Sequence, residues 1–172
     1  MAILLYGNPN KIISEVGTKL MLDQRFAKLL YYADQEGYDY IDTDELPDVE
    51  KPIEKLRNNK VFYNRRFNKT YKTADVGVYI RMGEFTLKGS KVLDKSYIEI
   101  GVVSHIKYLD TINGNRNLCL IDTIQKVIDN NMRYVGNLRF IRALPIRDLP
   151  VEYEGFNIIL EITDYNENNF NR

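Results

Sequence analysis

The chain holds one histidine, His105, and one cysteine, Cys119, and this scarcity limits the chemistry it can carry. Nucleophilic catalysis needs a nucleophile with a base in reach. His105 falls on an alternating, strand-like run in phase with Tyr97, Glu99 and Gly101, where a surface or interface role is expected of it. Cys119 lies near the start of a helical stretch, beside its apolar stripe. Partial burial is the ordinary state of a free cysteine, and a reactive thiolate would need a positive neighbourhood; Arg116 is close in sequence. One Cys and one His cannot build a zinc site from nitrogen and sulfur ligands within one chain, nor can one Cys form an internal disulfide.

Carboxylates are plentiful. A metal-dependent nuclease would draw several of them from strands and an adjacent helix, and Asp75, Glu84, Glu99 and Glu161 are the candidates. Alternation places Glu99 and Glu161 opposite the main apolar faces of their strands, so a solvated role is expected of both. Neither G-x-x-x-x-G-K-[ST] nor G-x-G-x-x-G occurs, and Gly83 and Gly89 fall between two strands, where glycine serves turn geometry. The residues therefore point to no catalytic group, no metal and no cofactor.

The elements that would position these groups are clearer than the groups themselves. Residues 75–81 alternate, with Val76, Val78 and Ile80 on one side, and 97–105 alternate again through Ile98, Ile100 and Val102. About fourteen residues join them, long for a hairpin loop, and Glu84 to Lys88 extend the pairing into a protruding ribbon. Asn113-Gly114 is a strong turn signal. Leu120, Ile121, Ile124, Val127 and Ile128 then form one helical stripe within 117–131. Residues 137–142 and 157–163 read as strands. Upstream, Asn8-Pro9 is a helix start. Apolar residues from Ile12 to Leu30 then keep helical spacing, with Asp23 as a kink or a second cap and Gly37 as a C-terminal stop. The fold class that follows is α+β: a mixed, mainly antiparallel sheet with two principal helices packed on one face.

A length of 172 residues suits one domain, which buries roughly two-thirds of its unfolded surface. The expected organisation is a single domain over 1–172, with an N-terminal arm at 1–9, an extended charged connection at 39–74 and a polar tail at 164–172. The apolar run after Met1 is too short for a signal peptide or a membrane span, so a soluble protein made in a reducing compartment is expected. The 24 basic residues equal the 24 acidic ones, which argues against a dedicated nucleic-acid binder or a membrane-surface protein. Thirteen Tyr and no Trp suit half-buried sheet faces and subunit interfaces.

The charges are segregated. Asp34, Glu36, Asp39, Asp42, Asp44, Glu45, Asp48 and Glu50 come with no cation among them. Lys51, Lys55, Arg57, Lys60, Arg65, Arg66, Lys69 and Lys72 follow, interrupted only by Glu54. Three readings stand open: a solvated loop with local charge pairing, an arm that neutralises itself against neighbouring copies, or a phosphate-binding patch beside which the acidic block would repel DNA.

The order of elements resembles the tail terminator and related neck (head–tail joining, tail completion) proteins of long-tailed bacteriophages. The likeness spans roughly residues 11–164. It runs through "FAKLLYYAD", the connection "DELPDVEKPIEKLRNNKVFYNRRF", the strand "ADVGVYIRM", the unit "SYIEIGVVSHIKYLDTINGNRNLCLIDTIQKVIDNN", and the closing "VGNLRFIRALPI" and "YEGFNIILEITDYN". The resemblance implies a structural virion protein of the tail and neck, made in the host cytoplasm. It would form a ring, usually a hexamer, between the tail tube protein and the head-completion or connector protein. DNA would pass through without sequence-specific binding. No catalytic residue transfers from such a family. Another phage adaptor on the same scaffold, or a small metal-dependent nuclease, are the alternatives.

Overall fold

The computed structural model describes residues 9–38, 40–63, 75–88, 92–128 and 137–163, without the side chains of 84–88 and 92–95. The N-terminal arm before Pro9, residues 64–74 of the charged connection, the expected helix end at 129–131 and the polar tail at 164–172 lie outside them. The helices are α1 (Pro9–Leu22), α2 (Gln24–Tyr31), α3 (Pro52–Leu56) and α4 (Arg116–Ile128). The strands are β1 (Val61–Tyr63), β2 (Val76–Lys88), β3 (Val92–His105), β4 (Asp110–Thr111), β5 (Gly114–Asn115), β6 (Leu138–Pro145) and β7 (Tyr153–Ile162). β1, β2, β3, β7 and β6 form one sheet in that spatial order, parallel between β1 and β2 and antiparallel elsewhere. The α+β class expected from the pattern is the class observed.

Period-two alternation decides which face of the sheet is buried. Val76, Val78 and Ile80 of β2, Ile98, Ile100 and Val102 of β3, and Ile158, Leu160 and Ile162 of β7 join one apolar core. Helical spacing supplies the other half: Ile12, Val16 and Leu20 from α1, Phe26 and Leu30 from α2, and Leu120, Ile124 and Ile128 from α4. Asp23 separates α1 from α2 because its carboxylate accepts the Phe26 N–H at 2.9 Å, capping the second helix. Gly37 is not the stop of α2, which ends at Tyr31; it sits at φ +87° in a turn further on. The Asn113-Gly114 turn joins β4 to β5, with Gly114 at φ +102°, a conformation glycine adopts without steric cost. No helix among the described residues is long and apolar enough to cross a membrane.

The charged connection, over its described residues 40–63, folds back onto the helices. Leu46, Val49, Leu56 and Val61 are buried, and the segment contains α3 and the edge strand β1. Its acids find cations nearby: Lys28 with Asp48 at 2.9 Å and Arg25 with Asp44 at 3.9 Å. Lys60 bridges Asp34 at 3.0 Å and also pairs with Asp75. Of the three readings of the charge blocks, local pairing is what these residues display.

Candidate functional site

Asp75, a candidate ligand in the sequence, is held by Lys60, and its carboxylate accepts the Val76 N–H at 2.7 Å. Glu99 and Glu161 lie on the sheet face turned away from the helices, as alternation requires. Glu99 accepts from Arg81 across the β2–β3 register, where the two residues are direct partners, and from Asn157 at 3.5 Å. Glu161 pairs with its own cross-strand partner, Arg139 of β6. Three of the four carboxylates are thus engaged by cations, and Glu84's side chain is not among those described. No group of three or more His, Cys, Asp or Glu converges among the described residues.

His105 closes β3 opposite Tyr153. Its Nδ1 accepts the Lys107 N–H at 3.1 Å, and its ring meets Tyr153 edge-on at 5.1 Å between centroids. It is a strand-end residue that starts the Ile106–Tyr108 turn, in agreement with the surface role expected of it. Cys119 is half-buried, with Sγ 3.6 Å from the Asn113 carbonyl. Burial pushes its thiol above the usual range, with Arg25 and Arg116 opposing. The electropositive, low-pKa setting of a reactive thiolate is therefore not found there.

What the structure assembles instead is a surface. On the open face Tyr79 stands opposite Gly101, where a Cβ would lie 2.0 Å from the tyrosine ring. Burial holds the Tyr79 phenol above its ordinary pKa, with Arg81 opposing and Glu99 adding to the rise. β7 brings Asn157, Ile159 and Glu161 alongside, and β6 adds Arg139 and Arg142. The β6–β7 register shifts between Phe140 and Arg142, so the extra residue Ile141 joins Arg142 beside a groove of about 280 Å³ lined also by Tyr97, Glu99 and Ile159. A bulge re-aims side chains in this way. The face is a band of alternating charge with aromatic and aliphatic patches. Each exposed ion pair contributes about 0–1 kcal/mol, so the pairs set register and partner preference more than stability.

A second surface gathers at the His105 end of the sheet. Arg116 is buried, and its guanidinium donates to the carbonyls of Tyr108 at 2.7 Å and Leu29 at 2.9 Å. Ser104 donates to Asn117 Oδ1 at 2.6 Å, and Asn117 Nδ2 donates to the Glu154 carbonyl at 3.1 Å. β3, α4 and β7 are tied together there. The β4–β5 turn is anchored in turn: Asn113 Oδ1 accepts the Thr43 N–H at 3.2 Å, and its Nδ2 donates to Asp42 at 3.1 Å. That bond and one from the Asp44 N–H, the larger cause, hold the Asp42 carboxyl below its usual pKa. On this frame Ile106, Ile112 and Leu118 stand exposed.

Neither surface was visible residue by residue in the sequence. The Arg81–Glu99 and Arg139–Glu161 partners are 18 and 22 positions apart, and only the strand order brings them together. Alternation alone places the four side chains on the open face, and opposite charges at facing positions are the signal that a correct register would have exposed. Fold and surface together define a two-layer α+β scaffold with one sheet face packed on helices and the other open and charge-paired. The chain matches the YomW family over residues 23–162 and belongs to it; the family is phage-derived, and the protein is phage-associated. No curated protein matches the chain.

Proposed function

We propose that this protein is a structural virion component of a tailed phage: a subunit of a ring at the neck that terminates the tail tube and joins it to the head connector. The observation that carries the reading is the open sheet face, whose charged groups engage one another across strands rather than converging on a point. Such a face suits complementary contact with a neighbour. The phage-derived family and the sheet with helices on one face, as the tail terminator resemblance implies, support it. The ring would contact copies of itself, the tail tube protein and a head-completion protein. Zero net charge suits a channel through which DNA slides, since dense basic contacts would hold it.

Light scattering and negative-stain imaging of the purified protein, with immunolabelling of particles, test the proposal. Closed rings and label at the neck are expected. A strictly monomeric protein that cleaves DNA with Mg²⁺, or label confined elsewhere on the particle, would overturn it.

A further inference from the structure

On the open sheet face Arg81 is committed to Glu99 and Arg139 to Glu161. Arg142 is different. It is exposed and makes no ion pair or hydrogen bond among the described residues. The β6 bulge sets it, with Ile141, at the groove that Tyr97, Glu99 and Ile159 also line. Ile141 is 41% exposed. An uncommitted guanidinium among aromatic and aliphatic side chains is the composition that anchors protein contacts, and its natural partner is a carboxylate.

Such a carboxylate stands at the tip of the β4–β5 hairpin. Ile112, in the turn, is 63% exposed. Asp110, at the start of β4, is exposed, and its carboxylate has no partner among the described residues. The tip is held firmly. Asn113 accepts the Thr43 N–H at 3.2 Å and donates to Asp42 at 3.1 Å, and the Thr111 hydroxyl donates to the Gly114 carbonyl at 2.8 Å across the turn. A knob fixed in advance loses little freedom on binding. It cannot reach the groove of its own chain. The hairpin lies beyond the His105 end of β3 and leads into α4 on the helical side of the sheet. The groove opens on the other face at Glu99, roughly 20 Å back along β3 at about 3.3 Å per residue.

We infer that Ile112 and Asp110 of one copy enter the groove of the next, Ile112 against Ile141 and Ile159, and the Asp110 carboxylate on Arg142. The occupant is a second copy because the chain itself carries both halves, each an exposed isoleucine beside an uncommitted charge, and the two charges are opposite. Like surfaces do not suit each other: two β6 faces would oppose their Arg142 side chains, and two hairpin tips their Asp110 carboxylates. A contact between two different surfaces closes into a ring or runs on as a filament. The inference rests on the ring reading above and adds which surfaces make the ring.

The test is a charge swap read by light scattering. Asp110→Arg and Arg142→Asp, each alone, should raise the concentration needed for assembly by about tenfold or more. The melting temperature should not change, since both side chains are exposed. The two swaps combined restore the pair with reversed sign and should restore assembly. Ile112→Glu should weaken assembly as the single swaps do. Copies with Ile112→Glu keep the groove and copies with Arg142→Asp keep the knob. Mixed at a concentration where neither assembles alone, they should give a one-to-one complex and nothing longer. Rings that survive both Ile112→Glu and Arg142→Asp, a double swap that stays disassembled, or a mixture without the one-to-one complex would overturn this contact while leaving the neck reading standing. An unaltered chain that never assembles would overturn both.

Discussion

Replacing Asn117 by Ala should be among the more damaging single changes in the first turn of α4. Asn117 is fully buried, as is Ser104. Its amide accepts from the Ser104 hydroxyl at 2.6 Å and donates to the Glu154 carbonyl at 3.1 Å. Two hydrogen bonds at about 1 kcal/mol each are lost, and the buried Ser104 hydroxyl left unpaired adds about 1 kcal/mol or more. The expected cost is about 2–4 kcal/mol. At about 2–4 °C per kcal/mol for a domain of this size, the melting temperature should fall by roughly 4–16 °C, read by circular dichroism with urea unfolding as a check. A cycle with Ser104→Ala sharpens the test. Removing the hydroxyl first takes away the group that would be orphaned, so Asn117→Ala should then cost less, with a coupling of about 1 kcal/mol. A cost below about 0.5 kcal/mol, or strictly additive losses, would refute the view that this network clamps α4 between β3 and β7.

Gly155→Ala should destabilise by about 1–3 kcal/mol, because its Cβ would lie 2.7 Å from the Val102 carbonyl oxygen, which is backbone and cannot rotate away. Gly101→Ala meets only the far end of the Tyr79 ring, which can swing aside, so urea midpoints should rank it clearly milder; the reverse order would contradict the described packing. Cys119, its thiol raised by burial, should react with iodoacetamide several-fold more slowly in the folded protein than in urea, and equal rates would show an open thiolate. Asp42 has a folded pKa below its unfolded one, so its contribution is present above about pH 4 and is lost as pH falls through the folded value. Asp42→Asn should flatten that acid limb of stability against pH, and an unchanged slope would remove the Asn113 and Asp44 bonds as its cause. Asp48→Lys should strand the largely buried Lys28 and lower stability by about 1–2 kcal/mol without changing the oligomer distribution; lost assembly at unchanged stability would restore the intermolecular arm.

The strands at Val76, Ile98 and Ile158 and the α4 stripe were legible because each buries one face, and burial on one face imposes a period. Asp23 was legible as a cap because a side-chain acceptor at a helix start is a local matter. β1 and α3 were not. Three residues, Val61 to Tyr63, are too few to show a period, and their parallel pairing with β2 is a choice of partner that only tertiary packing decides. The strand order was hidden for the same reason: β7 inserts between β3 and β6, and local pattern carries no record of which partner a strand selects. The Ile141 bulge, which brings a further side chain to the groove, leaves no mark in the alternation of so short a strand.

The charge blocks show how a pattern can be read correctly in sequence while its partners stay open. The acids of 34–50 are compatible with local pairing, with an arm reaching a neighbour or with a flank to a phosphate-binding patch, since acids and cations lie apart in sequence. In the fold, Asp48 meets Lys28 of α2, Asp44 lies near Arg25, and Asp34 meets Lys60 just before β1. The cations come from both sides of the block because the connection wraps back over α2, so much of its charge is spent within the chain. Lys28 retains only 9% side-chain exposure, and a charged group that far from water needs a paired partner. Unspent acids lie at the His105 end of the sheet, where Glu45, Asp110 and Glu152 are exposed near Ile106 and Ile112. Segregation of charge therefore bears on assembly through what the fold leaves unspent, not through the block that is most conspicuous in the sequence.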